Sequence, residues 1–221
     1  MRPAPRDPAR AGHAARIERR RRRTGLRPLL ANSIAALALI ALPARAADWK
    51  ATERVATYSV SGETGLALYR SIGENGPRLG PGASAIAHTS FELKWRRDYR
   101  PDGTACQLRS ALPFLTITTT LPKPSAPPTG ATARRWKTFI DGITAHEAIH
   151  SAMIHDLVRA IIAGTVGTRT ENDPRCTKIR PLILQKVKAA YARHQARSRA
   201  FDKDEMGRGG NVEGLVRGLV E

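Results

Sequence analysis

Residues 132–164 carry apolar side chains at three-and-four spacing: Trp136, Phe139, Ile140, Ile143, Ile149, Met153, Ile154, Leu157, Val158, Ile161 and Ile162. A helix of about nine turns lines such a set along one side. The spacing therefore predicts one long amphipathic helix, with Gly142 as the place for a kink.

The chain changes character just before this helix. Residues 121–130 (LPKPSAPPTG) hold four prolines and mark a boundary between a strand-rich first half and a helical second half. Each half alone is short of core, so the two are expected to form one domain over residues 47–214. In the first half, residues 55–60 alternate well enough for a strand, and Ser61 can cap a helix carrying Leu66, Leu68, Tyr69 and Ile72. Phe91, Leu93 and Trp95 then alternate along a half-buried strand. A turn at Pro101-Asp102-Gly103 leads into a second run, residues 106–121, expected as its antiparallel neighbour. Beyond the long helix, Leu182, Ile183, Val187, Ala190, Tyr191 and His194 predict another helix running to about Ala200. The glycines and charges of residues 206–214 predict a flexible or ligand-organised segment, and residues 215–221 a C-terminal tail. The expected class is α+β, a small antiparallel sheet packed on the long helix and the second C-terminal helix.

Inside the long helix stands His146-Glu147-Ala148-Ile149-His150, a match to H-E-x-x-H. At about 100° per residue the two histidines differ by about 40° and sit one turn apart, so both rings can reach one ion. Zinc suits imidazole ligands and brings the pKa of a bound water towards 7. A carboxylate directly after the first histidine is placed to accept that water's proton and later pass it to a leaving amine, which assigns Glu147 as general base. The alternative is that the histidines are ordinary helix residues and Glu147 pairs with a cation.

A third ligand must come from elsewhere. On an unbroken helix His155 lies about 140° from His150 and Asp156 about 120°, so neither shares the metal. Met153 also stands where a glycine would have to turn the chain if Asp156 were to serve. The downstream candidates are Glu171, His194, Asp202, Asp204 and Glu205. Tyr191 and His194 share a helix face that can supply a ligand or an oxyanion donor.

Compartment follows from the N-terminus. An arginine run at residues 19–23 precedes the apolar residues 34–42, then Pro43 and Ala44-Arg45-Ala46. This order describes a signal peptide, residues 1–46, cleaved after Ala46. Its apolar core of about 9 residues falls well short of the roughly 20 a spanning helix needs, so no stable transmembrane anchor is expected. The long basic start reflects either an upstream start codon or a twin-arginine signal at Arg22-Arg23.

Export changes the charge argument. The formal charge of +18 drops because residues 47–221 hold 26 Lys and Arg against 17 Asp and Glu. The remaining basic residues are scattered and aromatics make up 5% of the chain, which argues against nucleic-acid binding and fits contact with an anionic envelope polymer. Cys106 and Cys176 are the only cysteines. In an oxidising compartment they are expected to form one disulfide, with two free thiols as the alternative.

Several short pieces recur in a fixed order: YSVSG at 58–62, NGP at 75–77, the Trp-containing strand at 91–95, GTAC at 103–106, LP at 121–122, and WKTF at 136–139 leading into HEAIH. In that order the chain resembles a bacterial family of secreted zinc-dependent proteases catalogued as a domain of unknown function. The resemblance covers most of residues 55–214 and implies a zinc site on the H-E-x-x-H helix of a single exported domain. Relatives continue after the last helix with Tyr-Asp, then Thr-x-His-Gly and a further glycine. Here stand Phe201-Asp202, Glu205 in the threonine place, and Gly207 or Gly209 where the histidine would fall. That departure favours Asp202 or Glu205 as the third ligand. The expected function is a zinc metallohydrolase, a peptidase acting on protein or peptide through Glu147. Residues 115–120 are the expected edge for an extended substrate. A non-catalytic zinc-holding or binding protein on the same fold is the alternative.

Overall fold

The computed structural model describes residues 49–221 apart from residue 81. The expected signal peptide and its cleavage site lie outside the described residues. No helix among the described residues is long and apolar enough to cross a membrane.

The described chain runs β1 (Thr52–Val60), α1 (Gly65–Asn75), β2 (Arg78–Gly80), β3 (Ala83–Ser84), β4 (His88–Asp102), β5 (Ala105–Pro124), α2 (Gly130–Thr165), β6 (Arg169–Thr170), α3 (Ile179–Met206) and α4 (Asn211–Val220). This is an α+β fold. β4 and β5 form the expected antiparallel hairpin, Phe91 opposite Ile117 and Trp95 opposite Pro113, turning at Gly103 with φ +60°. Alternation places Phe91, Leu93 and Trp95 against the helices while Glu92, Lys94 and Arg96 face outward.

Two expectations about the sheet are corrected. The sheet is mixed rather than wholly antiparallel, because β1 lies parallel to β5 from Thr52 opposite Thr116 to Val60 opposite Pro124. The long stretch through α1 and β4 supplies the crossover that parallel pairing needs. Strand order is β1-β5-β4, so residues 115–120 lie in the central strand and offer no edge. Alternation reports which face a strand buries; it carries no information about the direction or number of its partners.

α2 runs unbroken from Gly130 to Thr165 across the sheet. Gly142 admits a neighbour: a Cβ there would stand 2.4 Å from Leu215 Cδ1 of α4. α1 is capped by Thr64, whose Oγ1 accepts the Ala67 N–H at 3.2 Å, and Ser61 instead donates its N–H to Ser71 Oγ at 3.0 Å.

The C-terminal segment also departs from expectation. α3 continues past Ala200 to Met206, and residues 215–220 form the end of α4 rather than a tail. Val212 and Leu219 of α4 are buried with Val60, Leu68, Phe139 and Ile143. Gly214 and Gly218 dilute the helical signal, but the apolar set at 212, 215, 216 and 219 keeps three-and-four spacing and drives the helix onto the core.

At the opposite end, Cys106 of β5 and Cys176 are joined by a disulfide, as expected, and are buried with Leu108, Ile179 and Ile183. Asp173 organises the entry to α3, accepting the Thr177 N–H at 2.7 Å and the Ile179 N–H at 2.9 Å. Burial raises its carboxyl, but the N–H groups of Lys178, Ile179 and Thr177 outweigh that and hold it below the usual carboxylate range.

Candidate metal centre

The middle of α2 meets the last turns of α3. His146 and Glu147 are buried at 4% and 5% exposure, and His150 is half-buried beside them. The His146 and His150 Nε2 atoms approach to 3.2 Å. Asp202 brings Oδ1 to 2.8 Å from His150 Nε2 and 3.4 Å from His146 Nε2.

These separations permit a chemical test. Tetrahedral zinc with bonds of about 2.0–2.1 Å spaces its ligand atoms about 3.3 Å apart. Two of the three separations, 3.2 and 3.4 Å, match that spacing, the third is a hydrogen-bond distance of 2.8 Å, and all the donors lie within 4.8 Å of one another. Two imidazoles and one carboxylate are also a donor set that zinc accepts while keeping a fourth position open.

One of the two outer ring nitrogens, that of His150, fits the same scheme. A ring that turns Nε2 toward a metal carries its proton on Nδ1 and needs an acceptor there. Ser198 Oγ lies 3.2 Å from His150 Nδ1. His146 Nδ1 is buried without a hydrogen-bond partner, and its nearest carboxylate is Glu205 Oε2 at 3.6 Å. Phe201 closes the side of the site, stacked on His146 with ring centroids 4.7 Å apart and edge-on to His150.

Ser198, Phe201, Asp202 and Glu205 therefore line one stripe of α3, at the three-and-four spacing that places residues on one face. Neither Ser198 nor the Phe201 ring carries a metal-site signal of its own in the sequence. Their shared spacing with Asp202 is the signal that identifies them.

Glu147 reaches toward the sheet. Its Oε2 accepts a hydrogen bond from Thr89 Oγ1 at 2.7 Å, and Thr89 Oγ1 lies 3.2 Å from Thr119 Oγ1. Among the described residues Glu147 makes no ion pair with a cation.

The other candidates do not join the group. Glu171 pairs with Arg169, and Asp204 makes none of the contacts of the site. His194 packs edge-on against Phe91 at 5.9 Å, and Phe91 also stacks on Tyr191. Burial pushes the His194 ring below its ordinary pKa, against a hydrogen bond to the Met153 backbone that favours the charged form. His155 stacks on Trp49 and bonds Glu53, while Arg159 and Arg197 beside Asp156 hold that carboxyl below the usual range. Both lie off the face of α2 that carries His146 and His150, as their angular positions predict.

A family described as bacterial protein of unknown function (DUF922) matches residues 55–210, well over half of the chain. The chain belongs to this family. No curated protein and no solved structure matches it. The DUF922 match takes in every residue of the candidate centre and stops just short of α4.

Proposed function

We propose that this DUF922 chain is an exported zinc hydrolase that cleaves polypeptide, with His146, His150 and Asp202 as metal ligands and Glu147 as general base. The observation that carries the reading is the convergence of three donor atoms from α2 and α3 within 4.8 Å of one another. When bound there, zinc supplies Lewis acidity, polarising a carbonyl and making a water acidic near neutral pH.

The protein's own groups supply the rest. Ser198 orients the His150 ring through Nδ1, and Phe201 keeps the ring of His146 in place by stacking. The Thr89 hydroxyl holds Oε2 of Glu147, leaving Oε1 to take a proton from the attacking water and return it to the leaving amine. Among the described residues β4 pairs only with β5, so its second edge is open to an extended chain beside Thr89. The one disulfide fits export, and the basic outer face of β4, with Lys94 and Arg96, fits contact with an anionic envelope polymer.

A zinc-holding role without hydrolysis is the second reading. It is favoured by the hydrogen bond of Glu147, which ties the carboxylate to Thr89 rather than to the ligand group. Metal analysis and hydrolysis of an unfolded protein, run on the wild type, Glu147→Gln and His150→Ala, separate the two. The expected result is about one zinc per chain in the first two proteins and none in His150→Ala. Hydrolysis should fall by about 100-fold or more in Glu147→Gln. An active Glu147→Gln protein would remove the mechanism, and full zinc with no hydrolysis would establish the second reading.

A further inference from the structure

A groove of about 590 Å³ runs between α4 and the segment that leads from β3 into β4. Its walls are apolar, with Ile86 on one side and Val212, Val216 and Met206 on the other. Asp202 lines it as well, so the groove opens onto the same carboxylate that meets the two histidines. Such a volume lies within the roughly 300–1,000 Å³ of small-ligand sites.

Two observations say what it takes. Leu79 and Met206 line the groove while 57% and 53% exposed, which leaves large apolar surface in water unless a ligand covers it. The wall formed by Ser84, Ala85 and Ile86 continues directly into β4, so a strand laid along that open edge points into the groove.

We infer that this groove is the subsite for a large aliphatic or aromatic side chain of an extended polypeptide, one that enters the metal centre past Asp202. The inference deepens the proposed hydrolase and rests on it for the direction of the chain, but the groove's occupancy is measurable without turnover.

The test uses the full mature chain carrying Glu147→Gln, loaded with zinc, and two labelled peptides identical except for Leu or Ser at one central position. Fluorescence anisotropy should show the Leu peptide binding about tenfold tighter or more. Adding Met206→Lys should abolish that preference with zinc content unchanged. Leu79→Lys, on β2 and separate from α3, should do the same, and both positions are exposed enough to leave folding intact. Equal binding of the two peptides, no binding of either, or a preference untouched in both variants would overturn the subsite. Hydrolysis of the same peptides by the wild type decides the other question. Binding with Leu preference but no cleavage removes the hydrolase and keeps the subsite. Cleavage with no Leu preference removes the subsite and keeps the hydrolase.

Discussion

The two halves of α3 are held by different forces. In the first half Ile179, Ile183 and Ala190 are buried, Cys176 is bonded to β5 just upstream, and Asp173 caps the entry. In the second half no residue from 191 to 206 is buried, and the half-buried stripe that faces α2 is Tyr191, His194, Ser198, Phe201, Asp202 and Glu205. One half rests on apolar burial and a covalent link. The other rests on half-buried rings, Tyr191 and His194 against Phe91 and Phe201 against His146, and on Ser198, Asp202 and Glu205 beside the two histidines. A helix segment that buries few apolar groups gains its order from whatever its polar face binds, so a metal held there as proposed would couple its affinity to local stability.

The largest effect expected from this contrast falls on the second half. Asp202→Ala should weaken zinc binding by more than the roughly 10–100-fold typical of supporting residues, as read by competition with a chelator. Hydrogen exchange in the same variant should speed up over residues 191–206 and stay slow over 179–190. Uniform loosening of all of α3 would break the contrast. The disulfide comes next: replacing Cys106 and Cys176 by alanine should remove about 4 kcal/mol by the chain-entropy estimate for a 70-residue separation, measured by urea unfolding. Zinc affinity should hardly move, and a parallel loss of zinc would show that the two ends act as one unit.

The smallest effect concerns pH. The Asp173 carboxyl is depressed in the folded state, so its contribution is present above the unfolded value of about 3.9 and disappears as pH falls through the lower folded value. Asp173→Asn should therefore unfold at a lower temperature than wild type at pH 7. The two should converge in strong acid. A constant gap down to the lowest pH would mean that the N–H groups of Thr177 and Ile179 do not depend on the charge.

Much of this contrast was legible in the residues. Three-and-four spacing produced α2, and the step from His146 to His150 put both rings on one side without reference to any other element. Alternation located β4 and the second strand beside it, and two cysteines in a chain expected to be exported pointed to one bridge. The same angular arithmetic set aside His155 and Asp156. What local spacing could not express was any relation between separate elements. It left Asp202 and Glu205 equal, made residues 115–120 an edge, and treated the end of the chain as a tail.

The amino-acid sequence by itself therefore determined the two-histidine face with its neighbouring carboxylate and the identity of the disulfide pair, because each follows from distances along the chain or from composition. Only the tertiary structure decided that Asp202 meets both rings, that Glu205 stands behind one of them, that β1 runs parallel to β5, and that α4 completes a groove. The physical reason is that the register of α3 against α2 is set by packing far from the site, by Ile179 and Ile183 beside the Cys106–Cys176 bridge and by Leu157, Ile161 and Ala190. That register lets one carboxylate of the stripe reach the histidines directly and holds the next a few ångströms behind it.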